Sequence, residues 1–215
     1  MLIRYHGHSE FLLESASGFT ILTDPYDASV GYPMKEYEAD AVTVSHSHGD
    51  HSFKEKAKGD IAIVEEAGRF LLSPEITVTA VPGYHDEVQG LKRGSNLLMK
   101  IEMDGLTLAH LGDAGTELTD EQLAALGRVD ILMLPVGGFF TIDAEAAYKV
   151  VKQVDPRVVI PMHYKTKANA GWPIADETAF LRFMQAEGTT PLPLLRVTKG
   201  DLNEQPRLAL MEIRL

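Results

Sequence analysis

Short runs of alternating apolar and polar residues fill the first half of the chain and predict strands at Leu2–Tyr5, Phe11–Glu14, Phe19–Thr23, Asp40–Ser45, Ile61–Val64, Ile76–Val81, Asn96–Met103 and Leu106–Leu111. Turn formers such as Ser15-Ala-Ser-Gly18 and Met103-Asp-Gly105 separate several of them, and the tight join at Asp104-Gly105 predicts a hairpin. The second half changes period. Thr119 with Gln122 offers a capping box for a helix over Thr119–Leu126, and Asp143 can cap a second helix whose Ala144, Ala147, Val151 and Val154 follow helical spacing before Pro156. Apolar strands are predicted at Asp130–Leu134 and Arg157–Ile160, an amphipathic helix at Asp176–Glu187, and two closing strands near Leu194–Thr198 and Arg207–Ile213. Many strands with a few helices predict sheet packed on sheet with helices outside, in one domain over residues 1–215.

Composition narrows the chemistry. There is no cysteine, so disulfides and thiolate metal sites are excluded and any metal must be held by His, Asp or Glu. A net charge of −11 disfavours non-specific binding of nucleic acid, while leaving room for a small anion wherever a metal reverses the local potential. No apolar run approaches the roughly 20 residues that cross a bilayer. The chain opens directly on a strand, so a cytoplasmic location without membrane attachment is the expectation.

Candidate chemistry concentrates in Ser45-His-Ser-His-Gly-Asp-His51, directly after the apolar run Ala41–Val44. In extended backbone His46 and His48 face the same way, and Gly49 permits a turn that aims Asp50 and His51 elsewhere. One loop can thus serve two neighbouring ions. A polar loop containing histidines by chance is the bland alternative, but this pattern should arise at random on the order of once in a thousand such sequences. Three more ligand-type residues follow apolar strands after a break: His85 behind Pro82-Gly-Tyr84, Asp113 in Leu111-Gly-Asp-Ala-Gly115, and His163 in Ile160-Pro-Met-His-Tyr164. Singly each reads as a loop residue; together they repeat one theme.

These segments, with Gly7-His-Ser9, Leu22-Thr-Asp-Pro25, Leu134-Pro-Val-Gly-Gly138 and Ile160–Thr166, resemble the metallo-β-lactamase-fold metal-dependent hydrolases over roughly residues 1–170. Within that family the likeness is to bacterial hydrolases related to L-ascorbate-6-phosphate lactonase. The resemblance implies a four-layer αββα sandwich of mixed α/β class, with the site at one edge. It implies that His46, His48 and His85 bind one metal, that Asp50, His51 and His163 bind another, and that Asp113 bridges them, Asp50 and Asp113 serving catalysis as well. Asp24 would orient a ligand, and His8 would support the ligands from behind. Tyr84 intervenes where the family places histidine right after Pro-Gly, which makes His110 a rival to His85. Alternation turns His110 away from Asp113, leaving it a candidate for proton handling.

Two divalent ions about 3.5–4 Å apart can hold and ionise a water near neutral pH, and the same ions polarise the electrophile. Such a site hydrolyses esters, lactones, amides or phosphodiesters. Zinc is the favoured metal, and manganese, iron and nickel accept the same ligands. Arg93 is a candidate partner for a substrate phosphate or carboxylate, with Asn96, Tyr164 and Lys165 as further substrate-binding candidates. Phe139-Phe140 can wall the pocket, whereas Trp172 is expected to pack within its loop. Rival readings are a mononuclear-iron oxidoreductase resembling sulfur dioxygenases, and a phosphodiesterase or nuclease acting on nucleotides, the latter disfavoured by the acidic charge and the lack of a basic patch.

Overall fold

The computed structural model describes all 215 residues. In chain order the strands are β1 (Leu2–Gly7), β2 (Glu10–Glu14), β3 (Thr20–Thr23), β4 (Tyr37–Glu38), β5 (Ala41–Thr43), β6 (Ala57–Lys58), β7 (Ala62–Val64), β8 (Gly68–Ser73), β9 (Ile76–Tyr84), β10 (Ser95–Met103), β11 (Leu106–His110), β12 (Ile131–Pro135), β13 (Val158–Met162) and β14 (Leu195–Arg196). The helices are α1 (Gly49–Ser52), α2 (Asp120–Leu126), α3 (Ala144–Val154) and α4 (Thr178–Phe183). One six-stranded sheet runs β14-β1-β2-β3-β5-β7, a second runs β13-β12-β11-β10-β9-β8, and β4 with β6 makes a two-stranded ribbon.

Side-chain alternation dictates how these layers stack. Ile3, Tyr5, Phe11 and Leu13 are wholly buried in the main core, and their strands pair so that Tyr5 lies opposite Phe11 with the rings stacked 4.7 Å apart. On β3 and β5 the odd positions Ile21 and Ala41 join that core. Their neighbours Leu22 and Val42 instead form a small second cluster with Ala39, Val44 and Ala57. The ribbon carrying Tyr37 and Ala57 covers this outer face. The helical layer is therefore substantial over the second sheet, where α2 packs on β9, α3 on β12 and α4 on α3, and thin over the first.

The second sheet switches direction midway. β9, β10 and β11 are antiparallel, with the predicted hairpin closed by Asp104 and Gly105, both at positive φ as a type I′ turn needs. β11, β12 and β13 are parallel, and β12 and β13 are buried at every residue because both faces are covered. The capping box on Thr119 and Gln122 and the Asp143 cap both form. No helix is long and apolar enough to cross a membrane.

Three expectations change. β8 was not foreseen: it is an edge strand whose sequence does not alternate, and Leu71 on it is 70% exposed. α4 is shorter than Asp176–Glu187 and breaks where Gln185 turns left-handed. Residues 207–213 make no continuous strand. They cross from one sheet to the other through single bridges, Leu208 to Val159, Met211 to Leu192 and Ile213 to Tyr5.

Candidate metal centre

Six strand ends meet at one edge of the sandwich. The residues just beyond β1, β3, β5, β9, β11 and β13 supply His8, Asp24, the His46–His51 loop, His85, Asp113 and His163. Their donor atoms fall into groups that each lie within 4.8 Å: His46, His48 and His85; His8, Asp50, His51 and His163; and His46, His51 and Asp113. All seven residues expected to hold metal are thus brought together, with Asp113 between the two halves.

The hydrogen bonds behind the ligands fix which nitrogen faces inward. Asp24, fully buried, accepts from Ser45 N at 2.7 Å, from Ser45 Oγ at 2.6 Å and from His51 Nδ1 at 2.8 Å. His51 Nε2 is left to face Asp113 Oδ1 at 3.2 Å. The Ser45 hydroxyl has given its one proton to Asp24, so it must accept from His46 Nδ1 at 2.9 Å. That leaves the His46 Nε2 lone pair aimed into the cluster and buried without a hydrogen bond, as His163 Nε2 also is. Asp113 Oδ2 lies 3.1 Å from His85 Nε2 and 3.3 Å from His163 Nε2. Burial opposes ionisation of Asp113, but His163 and His51 outweigh it and hold the carboxyl well below the usual range. Burial alone would lower His51; Asp113 and Asp24 push it well above the usual imidazole range.

These donors fit cations. Metal–nitrogen bonds of about 2.0–2.1 Å set neighbouring tetrahedral ligands about 3.3 Å apart, and the spacings of 3.1–3.3 Å around Asp113 match that edge. The backbone is strained to deliver them. His8, Asp24 and His163 all have positive φ, at 55°, 39° and 51°, a conformation that costs non-glycine residues about 1–2 kcal/mol each and gathers at functional sites. Two glycines permit close approach: a Cβ on Gly112 would fall 2.4 Å from Asn96 Oδ1, and one on Gly115 would fall 2.3 Å from the Asp86 backbone nitrogen.

Known proteins resemble this chain over most of its length. The model of the beta-lactamase superfamily domain matches residues 2–163. The chain belongs to that superfamily. It is 32% identical over 206 residues to a UPF0173 metal-dependent hydrolase of Carboxydothermus hydrogenoformans, covering 81% of this chain and 87% of the relative. A second such hydrolase, from Archaeoglobus fulgidus, is 31% identical, covering 77% and 84%. The crystal structure of a zinc-dependent hydrolase of the metallo-beta-lactamase superfamily from Thermotoga maritima superposes with a TM-score of 0.79 at 30% identity, covering 99% of both chains. The protein is a metal-dependent hydrolase of this superfamily, and its mixed α/β double sandwich is the superfamily's fold.

Other residues singled out in the sequence of this hydrolase occupy different places. Arg93 is half-buried and lines a cavity of about 350 Å³ together with His48, Asp50, His85, Phe140, Gly171, Trp172 and Pro173. Asn96 does not reach that cavity. It is fully buried, accepting from Asp113 N at 2.9 Å and donating to Leu111 O at 2.9 Å, so it braces the Asp113 loop. Tyr164 and Lys165 line a separate cavity with Thr166 and Glu177, because the left-handed turn at His163 sends the following residues away from the metal ligands. His110 is also outside the pocket: Nε2 donates to Ser9 O at 2.9 Å and Nδ1 accepts from Gly112 N at 3.2 Å. Burial lowers its basicity, and both nitrogens are engaged by backbone, which leaves none free for proton transfer to substrate. Trp172 lines the pocket, contrary to the expectation of loop packing; its ring lies edge-on to His8 at 5.4 Å and to Phe140 at 5.9 Å.

One functional position went unseen in the sequence. Asp86, next to His85 and nearly fully buried, accepts from the backbone nitrogens of Val88, Gly90, Lys92 and Arg93 at 2.7–2.9 Å. Burial opposes its charge, but the four N–H groups prevail and pull the carboxyl down to about 2. This single side chain shapes the loop that joins ligand His85 to Arg93. An acidic residue followed by a glycine-punctuated stretch, Asp86 to Gly94, was the available signal.

Proposed function

We propose that this hydrolase holds two divalent cations and cleaves a small anionic ester, lactone or phosphodiester in the pocket beside Arg93. His46, His48 and His85 would hold one cation, Asp50, His51 and His163 the other, with Asp113 shared between them. Cations bound there, zinc being the metal such a donor set favours, would acidify water and draw charge from the scissile bond. The chain's own part is orientation. Asp24 and Ser45 present the inward nitrogens of His51 and His46, so no imidazole has to turn when substrate arrives.

The observation that carries the substrate class is the placement of Arg93. Its guanidinium donates to Phe139 O at 3.0 Å and rests over the Phe140 ring at 5.7 Å. It makes no ion pair, although the chain carries 31 acidic residues. A positioned, unpaired cation across a cavity from metal ligands suits a carboxylate or phosphate on the substrate. The cavity volume of about 350 Å³ accommodates a small molecule. Phe140, Trp172 and Pro173 line its apolar side.

A panel of lactones, phosphodiesters and thioesters, in charged and neutral pairs, tests this with metal-loaded protein and a chelator control. Arg93→Ala is expected to raise KM for the anionic member by about 10- to 100-fold, the loss of one charge-assisted contact, and to leave the neutral member unchanged. Equal KM values for both members in the wild type would contradict the proposal.

A further inference from the structure

Beyond the seven ligands that resemblance supplies, we infer that His8 is itself a ligand of the second cation, alongside Asp50, His51 and His163. The inference rests on the two-cation reading and adds a donor to it. His8 Nε2 lies 3.3 Å from Asp50 Oδ2 and 3.1 Å from His51 Nε2. The four donor atoms of His8, Asp50, His51 and His163 form one group within 4.8 Å, and the His8 and His163 rings sit 4.2 Å apart. These are the spacings of neighbouring ligands around a common ion, about 3.3 Å for bonds of about 2.0–2.1 Å.

A purely supporting role explains less. His51 Nδ1 is committed to Asp24, so a cation that displaces the second ring proton meets the Nε2 lone pair directed at the cluster. A single His8 Nε2 proton points at Asp50 or at His51, whereas one cation among the three atoms accounts for the 3.3 Å and 3.1 Å approaches together. His8 Nδ1 is buried without a partner, as are the Nδ1 atoms of His85 and His163, the ligands that come from outside the His-rich loop.

The backbone agrees. His8 and His163 share the left-handed conformation, and they are tied together by His163 N donating to His8 O at 2.9 Å. The Tyr5 hydroxyl donates to the same carbonyl at 2.8 Å. Two donors on one carbonyl pin His8 in a strained conformation whose effect is to hold its imidazole in the cluster. The fully buried ring is covered by Trp172, so water does not compete for the position. With His8 and the shared Asp113, the second half of the centre has five protein donors. The first half would have four, and its His48 and His85 line the same cavity as Arg93.

Co(II) titration of chelator-treated full-length protein, followed by visible absorption, tests this on the wild type, His8→Gln and His8→Ala. Glutamine preserves an N–H donor for Asp50 and removes the imidazole. Two Co(II) ions are expected in the wild type. In both variants one of the two affinities should fall at least 10-fold, with stronger absorption bands at that site as its coordination number drops, while the other site, unchanged, reports that the chain is folded. A His8→Gln protein with wild-type affinities and spectrum would overturn the inference and make His8 a hydrogen-bond donor only. Equal loss of both sites in both variants would also overturn it, assigning His8 to folding. A wild type that takes up a single Co(II) would overturn the two-cation reading itself, and the fifth donor with it.

Discussion

The two halves of the metal centre are built from different kinds of backbone. His46 and His48 come from one loop and His85 from just beyond β9; His48 is exposed, and His85 Nδ1 has no hydrogen-bond partner. The other half draws on three separate strand ends. His8, His51 and His163 are buried, two of them on left-handed backbone, and His51 is locked by Asp24. The lesson concerns rigidity: the half in which every histidine is buried should retain its cation when the half that includes the exposed His48 has already lost its own.

The largest effect should follow from removing what the halves share. Asp113→Ala is expected to abolish binding at both sites, seen as less than about a tenth of the wild-type metal content after desalting; retention of one full equivalent would show that the halves are independent. Asp24→Asn strikes the half holding His51 harder, because Asp24 bonds His51 directly and reaches His46 only through Ser45. A neutral amide holds the His51 N–H more weakly than a carboxylate does, so affinity there should fall about 10- to 100-fold and more than at the other half, measured by competition with a chelating dye. Equal weakening of both sites would break the contrast.

Asp86→Asn sharpens the view of the exposed half. One amide oxygen cannot serve four backbone N–H groups, so the loop from His85 to Arg93 should loosen. About a tenfold loss at the exposed site is expected, together with a higher KM for anionic substrates. The smallest effect is expected from Trp172→Ala, a few-fold change in KM with metal content unaltered, since this ring shields ligands and walls the pocket without donating to a cation.

Much of this centre was legible because strand ends are. The His46–His51 loop announces itself through four donors in six residues, and His85, Asp113 and His163 each follow an apolar run and a break. What was not legible depends on contacts between distant parts of the chain. Asn96 reads as a substrate-binding candidate at the start of a strand, and its bonds to the Leu111–Asp113 turn make it a brace instead. Tyr164 and Lys165 adjoin a ligand in sequence, yet the left-handed φ of His163 turns them to another cavity. His8 belongs to the first sheet and His163 to the second, so their adjacency appears only when the sheets pack. In the same way, the fold's alternating strands were readable, whereas β8 was hidden because an edge strand need not alternate.

The account depends most directly on how many cations the folded chain holds. Titrating chelator-treated protein with Zn(II) against a competing dye should give two equivalents per chain in two separable steps, with His48→Ala eliminating only the weaker step. A single equivalent, or binding that survives Asp113→Ala undiminished, would contradict it.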